Sequence, residues 1–410
     1  MISAGIFALL GQVAELSNRW FPLIFVVGAI ITTFSAYSYI KYSQHYPSAG
    51  GIGMYLVKAY GKGVLPTVVA LMMILSMVIN QSLVARTFGT YTMQLFGGST
   101  NSWIVPLLGV GLLIFSLLIN LSSNFIIQTF TSVTSVIKII GLVVFSLGGF
   151  IAANLVVDLA EVDTQAPELM PVHYIAAVAL SILAFKGFTT ITNNGKEIRH
   201  PKNNVGRAII LSIIISLIAY LLIAFAVSSA LTVSEIITAK DYALAEASKP
   251  VFEGFGLWFT VILAIIATVT GIIASVFAVS RLIAMLADME LIPHKPLKKD
   301  INTQQQTIFY TVIIAIILTV LFDLTRIASL GAILYLIMDM IIHYGLGKKL
   351  SKDIDSNKLI VRSAFILDGI VLSAFLYIKI TTDLLVVIVS GIIIISLFVM
   401  QKVFLTQKSS

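Results

Sequence analysis

The stretch SILAFKGFTTITNNGKEIRHPKNNVGR, from Ser181 to Arg207, decides how the rest of the chain is read. It begins as an apolar helix, breaks at Ala184-Phe185-Lys186-Gly187-Phe188, and runs through a Thr/Asn tract into a basic segment containing Pro201. A water-soluble core does not need that order. A helix interrupted in mid-membrane leaves backbone N–H and C=O groups that lipid cannot satisfy, so a polar partner is expected beside the break. Membrane carriers use discontinuous helices at the bilayer midplane to hold a charged solute.

Composition agrees with a membrane location. Of the 410 residues 58% are hydrophobic and 11% charged, with a mean hydropathy of +1.02, whereas soluble domains carry about 25% charged residues. Crossing about 30 Å of hydrocarbon takes roughly twenty apolar residues as helix. Such runs are expected near 21–40, 64–96, 103–121, 125–151, 171–194, 204–229, 252–287, 305–323, 326–346, 359–379 and 382–402. Ahead of these eleven full spans, Met1 to Leu16 is too short to cross and has its own glycine break at Ser3-Ala4-Gly5-Ile6-Phe7. It reads as the second half of a helix whose first half is missing, giving about twelve transmembrane helices in an all-α integral membrane protein.

The same pattern removes several classes of function. Alternating segments of the β-barrel type are absent, and no cleavable signal peptide is apparent. With no cysteine in the chain, disulfide and thiol chemistry are excluded. The formal charge of +7 does not indicate a nucleic-acid partner, because the basic residues cluster between apolar runs. Eighteen of the 26 Lys and Arg residues fall in one set of alternate loops and five in the other, which places both termini of a multi-pass protein in the cytoplasm. Those basic loops are also expected to meet anionic membrane lipid.

The partial first span and the span from 171 are both broken, and they start five spans apart. This spacing points to an inverted repeat. The single transmembrane domain, 1–402, then divides into a first repeat over 1–151, a second over 171–346 and two appended helices over 359–402, followed by a tail at 403–410.

Particular motifs carry a resemblance. Ser3-Ala4-Gly5-Ile6-Phe7 resembles the glycine-rich first-helix signature of the amino acid–polyamine–organocation (APC) superfamily of permeases. Pro47, Gly50, Gly51 and Tyr55 resemble that family's pattern after the second helix. Phe185-Lys186-Gly187-Phe188, with Glu197, Pro201, Lys202, Asn203, Arg207, Ala208 and Ile209, resembles its sixth-helix break and basic loop; Arg281 and Leu291-Ile292-Pro293 resemble the end of its eighth helix. The nearest group is that of prokaryotic, proton-coupled, sodium-independent amino acid transporters. The resemblance implies a LeuT-like five-plus-five fold, import of amino acids across the cytoplasmic membrane by proton symport, and alternating access. It also implies that family members carry an upstream segment not seen before Met1, and that Ser3 stands where glycine is usual.

From the resemblance, N–H groups near Ser3, Ala4, Gly5 and Ile6 face the substrate carboxylate, since a half-helix start carries partial positive charge. Carbonyls near Leu183, Ala184 and Lys186 accept from the α-ammonium. Phe185 and Phe188 flank the break as a gate or as packing, and Gly5 and Gly187 serve binding or close helix contact. Lys186 serves either a substrate's acidic side chain or the outer vestibule, where Arg86, Gln81 and Asn80 are also expected.

Lys138 stands apart because it lies near the middle of its span, about 20 Å of helix from either end. Its charge costs at least about 2.5 to 3.5 kcal/mol at that depth, so it must face the protein interior. Burial away from carboxylates favours a neutral amine, making Lys138 either the coupling proton's carrier or a fixed structural cation. By fold analogy it lies near the eighth span, whose Thr268, Thr270 and Ser275 supply hydroxyls. Asp339 and His343, four residues apart, share a helix face and read as a structural polar pair; Asp368 has only its membrane location. Glu197 is expected to brace its own loop. No metal or cofactor is implied. An enzyme is disfavoured because the sequence has no HExxH and no close Ser/His pair at mid-membrane depth, and no GxxxxGK[ST] for ATP. Two alternatives remain open: an amino acid exchanger without net proton movement, and a truncated binding or sensor protein.

Overall fold

The computed structural model describes residues 4–47, 51–100, 102–122, 124–152, 159–162, 168–193, 195, 198–292, 303–351 and 353–409. Among the described residues there is no strand, and the chain is a bundle of helices. The first spans are α1 (Ala4–Ser17) and α2 (Phe21–His45), joined by a 3-10 turn at Asn18–Trp20. Asn18 has a positive φ of 46° at that junction, so the chain changes direction there although helix continues on both sides. Next come α3 (Gly51–Tyr60), α4 (Val64–Gln94), α5 (Ile104–Asn120) and α6 (Asn124–Ala152). The broken element is α7 (Pro171–Phe185) followed by α8 (Thr189–Asn193), and α9 (Pro201–Ala230) comes after it. The remainder are α10 (Val233–Thr238), α11 (Ala243–Phe252), α12 (Gly256–Asp288), α13 (Thr303–Leu321), α14 (Leu324–Tyr344), α15 (Lys358–Thr382) and α16 (Leu384–Ser409).

The expected spans are therefore present as helices, and among the described residues nine stretches are long and apolar enough to cross a membrane, with α1 and α2 taken as one. Two of the expected spans, α5 and α13, are shorter apolar helices. Sequence periodicity missed α3, α10 and α11. Of these, α10 is fixed by a capping box in which Thr232 and Glu235 satisfy each other's backbone N–H groups. The residues assigned to a tail continue α16 to Ser409.

Three of the extensive helix pairings lie five spans apart in the chain, α1 with α7, α2 with α9, and α4 with α12, and α4 also packs closely on α14 and α5. Helix pairing in lipid depends on close approach, and glycines allow it here. A Cβ at Gly89 of α4 would fall 2.1 Å from the Val105 carbonyl oxygen of α5, and one at Gly28 of α2 would fall 2.1 Å from Ser181 Oγ of α7. The outer helices expose their apolar faces, as at Leu107, Ile151, Leu211 and Ile395, which is the arrangement lipid selects. α4, α7 with α8, and α14 are the most buried spans, and the site is built on the first two.

Candidate functional site

The Ala/Val/Leu/Ile run of α7 is buried from Ala176 to Phe185. At Lys186-Gly187-Phe188 the α-ladder gives way to one 3-10 turn before α8 begins. Glycine weakens an α-helix, and the tighter i→i+3 pattern is a common hinge geometry. The break is thus a change of helix type, not an unwound chain. Its carbonyls already have protein partners: the Tyr220 hydroxyl donates to Ala184 O at 3.2 Å, and Thr189 Oγ1 donates to Lys186 O at 2.9 Å.

Lys186 turns inward. Its ammonium donates to Ser76 O and Ser76 Oγ on α4, both at 3.0 Å, and lies 5.8 Å from the centroid of the Tyr335 ring. Ser76 Oγ in turn donates to Gly331 O on α14 at 3.1 Å. One buried lysine therefore ties the break to α4 and, through Ser76, to α14.

The start of α1 meets this break. A Cβ at Gly5 would sit 3.4 Å from Ala184 Cα, Ala184 O and the Tyr220 hydroxyl, so the two elements are already in contact. Beside them is a cavity of about 50 Å³, lined from the breaks by Gly5, Leu183, Ala184, Lys186 and Gly187. Met77 and Asn80 of α4 also line it, as do Thr189 and Thr190 of α8 and Ser275 of α12. Gln81 Nε2 donates to Ser275 Oγ at 3.4 Å. Asn80, Lys186, Thr189, Thr190 and Ser275 thus bring polar side chains to one small cavity beside both breaks.

A family model for amino acid permeases matches residues 1–410. The chain belongs to the amino acid permease family. It is 28% identical to the inner membrane transport protein YbaT of Escherichia coli over 82% of this chain and 77% of that one. It is 24% identical to the serine/threonine exchanger SteT of Bacillus subtilis over 62% and 58% of the two chains, and 26% identical to protein MJ0609 of Methanocaldococcus jannaschii over 92% and 85%. The permease is a multi-pass, non-enzymatic membrane protein of amino acid transport.

Other expected site residues lie elsewhere. Ser3 and Glu197 are outside the described residues. Ile6 is buried but does not line the cavity. Phe185 packs against the Tyr220 ring at 5.0 Å and Phe188 edge-on against Tyr39 at 5.2 Å, so neither reaches the cavity. Lys138 is 6% exposed on α6, with no hydrogen bond or ion pair to a described residue, and also lies outside the cavity lining. Thr268 Oγ1 donates to Ala264 O at 2.7 Å and Thr270 Oγ1 to Ile266 O at 2.6 Å, within their own helix. Only Ser275 of the three hydroxyls faces the cavity. Thr189 and Thr190 were visible in sequence as a polar tract after the break, but nothing assigned them to the site.

One end of the bundle is closed over α1. Glu15 of α1 pairs with Lys240, between α10 and α11, at 2.8 Å. Arg86 Nε donates to Thr319 O at 2.7 Å, and Arg326 Nε to Asp383 Oδ2 at 2.8 Å. Asp241, beside Lys240, is pushed up to about 6, chiefly by burial, with Lys240 and Arg86 opposing the shift and Asp323 and Glu15 adding to it. The folded state thus holds this proton to higher pH than the unfolded chain does, and the stabilisation it gives is lost as pH rises through about 6. Asp241→Asn is accordingly expected to raise the melting temperature in detergent by a few degrees above that pH and to leave it unchanged below about pH 4. A thermal-shift series across pH checks this; equal melting curves at high pH would refute it.

Proposed function

We propose that the permease imports amino acids across the cytoplasmic membrane by proton symport, binding the substrate's main chain between the breaks at Gly5 and Leu183–Gly187. The observation that carries this reading is the cavity shared by both breaks. Free N–H groups of α1 suit a carboxylate, and the remaining lone pairs of the break's carbonyls suit an ammonium. Ser3, Ala4 and Ile6 contribute backbone to the first of these, and Phe185 and Phe188 hold the second in shape. Both termini are cytoplasmic, and the basic loops meet membrane lipid.

Alternating access comes from α1, α2, α7 with α8, and α9 moving as a bundle against the other helices. Extensive pairing of α1 with α7 and of α2 with α9 supports this division. In this reading the repeats run over 1–151 and 171–346 and the addition begins at 359, with α16 carrying on through the residues after 402 to Ser409. Lys138 carries the coupled proton, as a buried amine without a described partner, and Thr268, Thr270 and Ser275 form the facing side of the α12 route. Main-chain recognition leaves side-chain choice to the rest of the pocket, while Lys186 favours neutral over cationic side chains.

Exchange without net proton movement is the second reading, favoured by the similarity to a serine/threonine exchanger. Lys138→Ala separates the two. In proteoliposomes it is expected to lose at least about tenfold of proton-driven accumulation while keeping exchange between internal and external amino acid. Undiminished accumulation on a pH gradient would overturn the role of Lys138.

A further inference from the structure

The polar pair on α14 is larger than its sequence spacing implies. Asp339 and His343 are joined by Asp368 of α15, and all three side chains are at most 1% exposed. His343 Nε2 lies 3.6 Å from Asp339 Oδ1 and 3.2 Å from Asp368 Oδ2, and its Nδ1 lies 2.8 Å from Ser38 Oγ. Asp339 accepts from Ser35 Oγ and from the Tyr39 hydroxyl, each at 2.6 Å. Asp368 has no such donor: both its oxygens lack a hydrogen-bond partner among the described residues, and the His343 Nε2 axis is off-line despite the short distance.

Charge counting sets what this arrangement holds. With a neutral imidazole and two carboxylates, the site would carry two negative charges away from water, which is expensive unless they are compensated. Lys186 does not pair with it directly, since its ammonium sits over the Tyr335 ring at 5.8 Å. Tyr42, Tyr55 and Tyr60 on the α2 and α3 side are neutral phenols stacked together or bonded to α14 carbonyls. Arg362 and Lys379, the cations of α15 flanking Asp368, are roughly 9 and 16 Å away along that helix. Two protons neutralise the cluster, one on His343 and one on a carboxyl. The short hydroxyl bonds to Asp339 mark it as the carboxylate, which leaves Asp368 to take the second proton.

The cluster also touches the break of α7 at two points. Tyr39, which donates to Asp339, packs edge-on against Phe188 at 5.2 Å. Tyr335, one turn before Asp339 on α14, lies under the Lys186 ammonium that lines the cavity. We propose that Asp339, His343 and Asp368 form a proton-binding site separate from Lys138, whose occupancy is passed to the α7 break through Tyr39 and Tyr335. The exchanging proton sits on an Asp368 oxygen and leaves to water; only an O–H bond is made or broken. Its loss puts one uncompensated negative charge beside the two tyrosines that contact the break.

Proton binding here is measured without transport, while its effect on the break rests on the transport reading above. Infrared difference spectra of the purified full chain between about pH 5 and about pH 9 cover perturbed carboxyl and imidazole titrations. The C=O band of a protonated buried carboxyl is expected in the wild type, to fade as pH rises, to be absent from Asp368→Asn and to persist in the control Asp383→Asn, a half-buried carboxylate paired with Arg326 just beyond the end of α15. Tyr39→Phe, which keeps the packing but removes a donor to Asp339, should move the midpoint of that band. The pH dependence of uptake of an equimolar labelled amino acid mixture should move by the same amount. A band unchanged in both Asp368→Asn and Tyr39→Phe overturns the proposal. So does a stoichiometric divalent metal whose removal by chelator, not pH, alters the protein. A titrating band with no uptake in any protein would leave the proton site standing and count against the transport reading alone.

Discussion

Gly11→Val is expected to hold the permease open at the Lys240 end. A Cβ at Gly11 would lie 2.3 Å from the Lys240 carbonyl oxygen, 2.4 Å from its Cα and 2.7 Å from its carbonyl carbon. These are backbone atoms, so no side-chain rotation relieves the clash, and the segment between α10 and α11 must lift off α1. Overpacking of this kind costs about 1–3 kcal/mol, which biases a two-state equilibrium by about 5- to 150-fold. The chain has no native cysteine, so a single Asn80→Cys in the cavity reports on access directly. Its maleimide labelling should accelerate by at least about tenfold when Gly11→Val is added, and transport should fall in parallel. Unchanged labelling would show that closure does not depend on this contact.

Lys186→Met is expected to abolish uptake and to lower the melting temperature. The methionine keeps the length of the side chain but leaves Ser76 O and Oγ without the ammonium that now donates to both at 3.0 Å. An unsatisfied buried group costs about 1–3 kcal/mol, and here the loss also releases the break from α4. Ser76 would still hold Gly331 at 3.1 Å, so α4 and α14 should stay joined while the break becomes mobile. Uptake should drop by more than about tenfold although the protein still folds. Wild-type uptake by Lys186→Met would refute the view that this lysine fixes the break.

Much of this arrangement was legible in the sequence because membrane helices announce themselves by length and by the glycines that interrupt them. The break at Lys186-Gly187 and the start at Gly5 were placed by residue type alone, and the fold brings them to one cavity. What the sequence could not express is which polar groups a helix keeps for itself. Thr268 and Thr270 look like free hydroxyls in a linear reading, yet each is bonded to the preceding turn. Asp339 and His343 share a face by spacing, whereas Asp368 reaches them only through the packing of α15 on α14. Short elements such as α3 and α11 carry too few residues for a periodic signal to stand out.

The most direct test of the central claim is uptake of a labelled amino acid mixture into proteoliposomes of the wild-type chain, under an imposed inward proton gradient and then under a sodium gradient. The account predicts accumulation on the proton gradient alone, abolished by a protonophore and unaffected by sodium. Accumulation that follows sodium and ignores the proton gradient, or binding of amino acid with no uptake under either, would contradict it.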